Sequence, residues 1–410
     1  MSDSSAFFIS DLLQACWLQL IDLRPARLSK LNTPNYPCKT CHPKACYSPP
    51  NSPTKRRDMK LSNFTCWAHL FTLCLVISSA SCDVPEQEME TAHSLEEIAS
   101  GVYFASSEGT GEMLLMSNAM VIVNDEDVIV VDSHVTAESG RSLIAAVRTV
   151  TDLPIRYLVN THFHFDHAHG NQAFAEHDHL DIVGHDYTRE KMTGDALAES
   201  SYLTLGAPEV MAGRLAALES WLGDAADDER NGITAQAAMM RRHIVALAEV
   251  EPTPPSVTLN DRMSIFRGER EIRLVHLGRG HTGGDVVVHL PSERLVFTGD
   301  LFFAGAPFLG DGFADEYPET LERLKSLDVD MFVPGHGPIV TDKAQIQVTQ
   351  NYLADYWTQV SEAYLAGLTV DEAVAEIDLS SWGTSAGFSM RPPAVMALEV
   401  AQMYRRIEAS

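Results

Sequence analysis

The segment "IRYLVNTHFHFDHAHGN" (residues 155–171) runs an apolar strand straight into four histidines and an aspartate. Such a cluster becomes a site only if distant residues complete it, so the fold must bring other segments to the end of this strand. His162 and His164 alternate at the strand end, which sends both side chains off one face of the sheet. Asp166 and His167 follow where the chain bends and point elsewhere, so one short loop can serve two neighbouring cations. Alone, a histidine run is equally a solvated loop. Three further segments decide against that. "GRGHTGGD" holds His281 in a glycine-rich loop between strands, where backbone can approach a ligand closely. "LVFTGD" ends a strand with Asp300, a carboxylate able to bridge two cations, and "FVPGHGP" places His336 in a glycine-flanked turn. Histidines in loops at strand ends are poor core residues, and metal ligation accounts for them better.

The remaining pattern sets the architecture. From "GVYFASSEG" the chain reads as successive strands, with a turn at Asn124–Asp127 and a helix over "AESGRSLIAAVRTVT". Residues 186–250 turn to Ala, Leu and Met at helical spacing, which predicts a helical insertion closed by "EPTPP". Strands then resume through "MFVPG", and helices from about Lys343, Val370 and Pro393 finish the chain. Strands followed by helices occur twice over. That predicts an α+β fold of two β-rich halves packed face to face, with helices outside.

In this order, H-x-H-x-D-H, G-H-T-x-G-D, F-T-G-D and P-G-H-G resemble the metallo-β-lactamase superfamily over roughly residues 100–340. The resemblance implies a four-layer αββα sandwich with the active site along one edge. It also implies that His162, His164 and His281 hold one metal and Asp166, His167 and His336 the other, with Asp300 between them. Asp132, ending "VIVVD", matches a carboxylate that supports the ligands in this superfamily, and His134 lies in a loop that often faces the cleft. His169, His177, His179 and His185 read as surface or supporting residues, and His243 as structural. A nitrogen- and oxygen-rich donor set suits two zinc ions, while manganese(II) or iron(II) also fit. A water whose pKa such metals lower to about 7 is the expected nucleophile, with Asp166 orienting it or accepting its proton.

Departures from the family pattern narrow the reaction. The best-known β-lactamases of this fold carry a cysteine where Asp300 stands and a lysine three residues on, where this chain has Phe303 in "DLFFAGAPF". Asp300 instead resembles the glyoxalase-II-like branch, although the terminal "AQMYRRIEAS" lacks that enzyme's basic tail. The expectation is a metal-dependent, zinc hydrolase of a carbonyl ester, thioester, lactone or β-lactam, acting on a small molecule. A metallo-β-lactamase proper, or a mononuclear iron oxidoreductase acting on persulfides, stays open on these residues.

Charge and cysteine placement complete the expectations. Residues 1–80 hold 9 Lys/Arg against 4 Asp/Glu, leaving 21 against 52 in the other 330 residues. A body that acidic repels phosphate backbones, so nucleic-acid substrates are disfavoured. All seven cysteines lie between Cys16 and Cys82, so the body has no internal disulfide and no thiolate ligand. Met59 opens "MKLSNFTCWAHLFTLCLVISSASCD", which has the anatomy of a signal peptide over residues 59–81, with cleavage after Ala80 or a lipid anchor at Cys82. Its apolar run is too short for a stable membrane span. Residues 1–58 then read as an upstream, disordered, non-native segment, within which Cys38-x-x-Cys41-His42 is too weak a pattern to carry haem or zinc. The expected organisation is a linker over 82–96, a catalytic domain over 97–345 and C-terminal helices over 346–410, in an exported, periplasmic or secreted protein.

Overall fold

The computed structural model describes residues 92–410, apart from 112, 224, 384–386 and 389–390. The expected signal peptide, the Cys82 anchor and the Cys38–His42 pattern lie outside the described residues. A first sheet runs in sequence order through β1 (Leu95–Ala99), β2 (Val102–Ala105), β3 (Ala119–Val123), β4 (Val128–Val131), β5 (Ile155–Val159), β6 (Asp181–His185) and β7 (Val257–Leu259). It is antiparallel as far as β4 and parallel from there on. The second sheet contains β8 (Arg262–Arg267), β9 (Arg270–His276), β10 (Val286–Leu290), β11 (Leu295–Gly299) and β12 (Met331–Pro334), in the order β12-β11-β10-β9-β8. Only its β11–β12 pair is parallel.

Strand alternation explains why both faces of these sheets are apolar. Met120 and Ile122 of β3 and Ile129 and Val131 of β4 point at the other sheet, meeting Ile272, Leu274, Val286, Val288 and Phe297. Their neighbours Val121, Val128 and Val130 point outward, onto Leu143, Ile144 and Val147 of helix α1 (Ala137–Val150). Across the molecule, Val287, Val296 and Phe332 pack outward against Leu321 and Leu324 of one helix (Tyr317–Lys325) and against Leu353 and Tyr356 of another (Ala344–Leu365). Three apolar layers separated by two sheets make a four-layer αββα sandwich. Each large aromatic within them, Phe297 for example, would cost about 3–5 kcal/mol if cut back to alanine.

The helical stretch between β6 and β7 contains Asp186–Thr193, a π-helical turn at Tyr202–Gly206, and longer helices over Pro208–Ser220 and Asp227–Leu247. Its apolar side packs Tyr202, Ala207 and Met211 on Phe165 and Val135. Among the described residues no helix is long and apolar enough to cross a membrane. One boundary differs from expectation: strand β1 begins at Leu95, inside the segment predicted as linker. "LEEIA" is a half-exposed edge strand whose pairing shifts register between Glu97 and Ala99, so it shows no clean alternation.

Candidate metal centre

The site forms where strands of both sheets end on one edge. Asp132 follows β4, His162 and His164 follow β5, His281 lies between β9 and β10, Asp300 follows β11 and His336 follows β12. Alternation predicts His162 and His164 at the end of the strand and Asp166 and His167 in a turn. Strand β5 instead stops at Val159, so the two histidines sit in the loop beyond it, and Asp166 and His167 belong to the one-turn helix Phe165–Ala168. Hydrogen bonds fix these loops to one another. Val286 N donates to Thr161 O at 2.8 Å, across the two sheets, and Gly335 N donates to Gly299 O at 2.8 Å. Asn118 Nδ2 donates to Pro334 O and Gly337 O, each at 2.9 Å, clamping the turn that carries His336. Asp285 accepts from Thr282 N and, at 2.6 Å, from Thr282 Oγ1, which holds the His281 loop.

All seven nominated side chains converge. Donor atoms of His162, His164 and His281 lie within 4.8 Å of one another, as do those of His162, His167 and Asp300, and those of Asp166, His167 and His336. Asp300 stands between the two ends of this arc. Its Oδ1 is 3.3 Å from His167 Nε2, and its Oδ2 is 3.1 Å from His336 Nε2 and 3.5 Å from His281 Nε2. Gly335 is required at this spot: a Cβ there would lie 2.3 Å from Asp300 Oδ1 and 2.7 Å from His167 Cε1.

The hydrogen bonds also decide which ring nitrogens face inward. Thr161 Oγ1 has one hydrogen and donates it to Asp132 Oδ2 at 2.8 Å. His162 Nδ1, 3.0 Å from the same oxygen, must therefore be the donor of that second bond. Its Nε2 is left carrying a lone pair, buried and without a hydrogen-bond partner. His167 Nδ1 donates to Asp132 Oδ2 at 2.8 Å, which likewise turns its Nε2 inward. His164 Nε2 donates to Asp311 Oδ2 at 3.2 Å, leaving Nδ1 to face His281 Nε2 at 2.9 Å. Asp132 thus touches Thr161 and His167 together, from a backbone φ of 62° that few non-glycine residues adopt.

Electrostatics divide the arc in two. Burial, reinforced by neighbouring imidazoles, pushes His281 down to about 3 and His162 well below the ordinary histidine range, so both present lone pairs. At the other end burial opposes protonation of His336 and His167, but Asp300 and Asp166 outweigh it. His336 rises to about 10, and His167 also goes well above its usual value. Burial would raise Asp300 and Asp166, yet His336 and His167 hold both carboxylates below the usual range. Two buried carboxylates at this end draw positive charge to themselves. A set of imidazole nitrogens and carboxylate oxygens converging around an unpartnered lone pair fits divalent cations of zinc's type.

His134 does not face an open cleft, contrary to the expectation for its loop. It is fully buried, with Nε2 2.8 Å from His93 Nε2 and Nδ1 3.4 Å from Ser117 Oγ. Ser117 in turn donates to the backbone oxygen of Asp166 at 2.5 Å, so His134 backs the Asp166 helix instead of lining an entrance. His169 is buried beside Phe165 and Tyr202, His177 and His179 are exposed, and His185 accepts from Tyr187 N at the start of its helix. His243 is buried in the helical stretch, away from the arc. Asp311 is a site residue that the sequence does not single out; a lone aspartate in "LGDG" downstream of the F-T-G-D motif is its only signal.

The family model described as the metallo-beta-lactamase superfamily matches residues 113–336. Among curated proteins, the chain is 23% identical over 270 residues to the linear primary-alkylsulfatase of Pseudomonas sp., covering 62% of this chain and 48% of that protein. It is 23% identical over 220 residues to the 2,4-dinitroanisole O-demethylase subunit alpha of Nocardioides sp., covering 53% and 51%. With the acyl-coenzyme A thioesterase MBLAC2 of Gallus gallus it shares 26% identity over 204 residues, covering 48% and 61%. The chain spans about half the length of the curated relatives it matches. Among solved structures, a metallo-beta-lactamase from Pontibacter korlensis superimposes with a TM-score of 0.46 at 18% identity, covering 64% of this chain and 99% of that one.

Proposed function

The chain belongs to the metallo-beta-lactamase superfamily, and from that premise we propose that it is a zinc-dependent hydrolase cleaving a carbonyl ester, thioester, lactone or β-lactam. The observation that carries this reading is the buried, unpartnered Nε2 of His162 at the meeting point of two donor sets. A buried polar atom left unsatisfied costs about 1–3 kcal/mol, a cost that a bound cation removes. His162 Nε2, His164 Nδ1 and His281 would hold one ion, Asp166, His167 and His336 a second, and Asp300 would touch both. The chemistry zinc would supply there is Lewis acidity: the pKa of a water would be lowered to about 7 and a carbonyl oxygen polarised. Asp166, whose Oδ2 is 3.2 Å from His336 Nε2, would orient that water or accept its proton. Ser117 fixes the backbone behind it.

The open side of the centre is at His336, whose side chain is 33% exposed. Phe303 lies against it with ring centroids 5.9 Å apart, and Phe308 lies 6.2 Å from His164. This aromatic wall, with phenylalanine at position 303 where the best-known β-lactamases of this fold carry a lysine, supports esters and thioesters of apolar groups over β-lactams. The relatives named as an alkylsulfatase and an acyl-coenzyme A thioesterase support an apolar chain joined to an anionic head. Sulfate esters therefore join the substrates to be tried.

Metal analysis coupled to a panel of esters, thioesters, sulfate esters, lactones and β-lactams, with and without chelator, tests the proposal. Two zinc ions per chain, and hydrolysis that chelation removes and zinc restores, are expected. Undiminished turnover by metal-free protein would overturn it, and one iron with oxygen uptake would replace hydrolysis by oxidation. Export belongs to the same proposal, and the intact mass of the fractionated protein distinguishes cleavage after Ala80 from acylation at Cys82.

A further inference from the structure

One carboxylate beside the centre has no part in the chemistry above. Asp311 lies in the loop between β11 and the helix Tyr317–Lys325, with its side chain 10% exposed. A single oxygen, Oδ2, receives two N–H groups: His164 Nε2 at 3.2 Å and the backbone N of Ser201 at 3.1 Å. Ser201 immediately precedes the π-helical turn Tyr202–Gly206, at the opening of a helix where amides lack an acceptor of their own. Three segments far apart in sequence therefore meet at one oxygen atom.

The loop that delivers Asp311 is itself held. Leu309 N donates to Glu399 Oε1 at 3.2 Å, Gln402 Nε2 donates to Gly312 O at 3.1 Å, and Phe313 N donates to Gly280 O at 2.9 Å, next to His281. Glu399 is completely buried and paired with Arg391 at 3.3 Å. The segment on the other side is equally close to the cluster. A Cβ on Gly206 would lie 2.5 Å from the Phe165 ring, adjacent to Asp166, and Tyr202 lies against both Phe165 and His169.

We infer that Asp311 is a positioning residue with two partners: it fixes His164 as an Nδ1 donor, and it ties the seating of the helical stretch at Ser201 to occupancy of the His162–His164–His281 set. The inference rests on reading that set as a metal site. A partner on the outer nitrogen of a ligating histidine sets its tautomer and ring orientation, and losing one typically lowers metal affinity about 10–100-fold.

The test compares wild type, Asp311→Ala and Asp311→Asn by zinc competition against a chromophoric chelator and by amide hydrogen exchange over residues 199–206 with and without zinc. In wild type, zinc slows exchange in that stretch. In Asp311→Ala one of the two ions binds about 10–100-fold more weakly, and the slowing disappears. Asp311→Asn keeps an oxygen that can accept both N–H groups, so its loss is smaller; if the alanine variant fails to fold, Asp311→Ser, whose shorter side chain reaches neither N–H group, takes its place. Wild-type affinity for both ions in the folded variants would overturn the inference while leaving the metal reading intact. Weakened affinity with unchanged exchange would overturn the coupling to the helical stretch. A wild-type protein that binds no zinc would instead sink the metal reading, and this inference with it.

Discussion

The two ends of the donor arc are built from similar residues and behave as opposites. His162 and His281 are sealed in, surrounded by other imidazoles, and driven neutral by burial. His336 stands at the rim facing two carboxylates and is driven toward the charged form. The first end is a buried pocket of lone pairs. The second is an acidic corner that attracts positive charge and opens toward solvent beside Phe303. The difference teaches that two sets of donors of similar type can be held in opposite charge states, one by burial among imidazoles and the other by facing carboxylates.

The most damaging way to break this comparison is at the residue that joins the sealed end to His167 and Asp300. His162 belongs both to the set with His164 and His281 and to the set with His167 and Asp300. His162→Ala is expected to lower kcat/KM by at least about a thousandfold and to reduce bound zinc, read by elemental analysis of the purified variant. Near-normal turnover in a folded His162→Ala protein would remove the central assignment.

A smaller and more selective break comes from Gly335. The methyl group of Gly335→Ala would press first on Asp300 Oδ1, the His167 ring and the Gly299 backbone. It is expected to lower activity about 10–100-fold and to weaken chiefly the ion held by the acidic corner, leaving the other bound. Equal loss of both ions on zinc titration would show that the two ends are not separable.

Sequence and structure part company where contacts are long-range. The seven converging side chains are legible because each sits in a short motif at the end of an apolar strand, and a strand end is a local feature. Both apolar faces of β3, β4, β10 and β11 are legible for the same reason. Asp311 is not, because its partners lie 110 and 147 residues away and nothing in "LGDG" announces them. The inward-facing nitrogen of His162 is equally hidden, since it follows from where the single hydrogen of Thr161 goes. Strand β1 is hidden because a short edge strand with a register shift carries no period.

The gentlest test sharpens the contrast through pH, in protein stripped of metal. A histidine in an unfolded chain releases its proton near pH 6.5, whereas His336 keeps it to about 10. Stability from that proton is therefore complete below about pH 6.5 and is lost as pH rises through about 10. His281 works in the other direction. Held down to about 3, it stays neutral while an unfolded histidine takes up a proton below about 6.5, so its contribution is present above that pH and drains away as pH falls toward 3. His93, His169 and His243, each lowered to about 4 with burial as the leading cause, add to the same acid limb. Thermal unfolding of the chelated protein should thus fall off on both sides of neutrality. His336→Gln should make the alkaline side shallower by a shift on the order of 2–4 °C, with His167 supplying the rest. It should also weaken the acid side, because Asp300 and Asp166 lose a partner that holds them low. His281→Gln should make the acid side shallower only in part, because His162, His134, His93, His169 and His243 are also buried and lowered. If His336→Gln left the alkaline side as steep as in wild type, the acidic corner would not be holding the proton assigned to it, and the opposition between the two ends would fail.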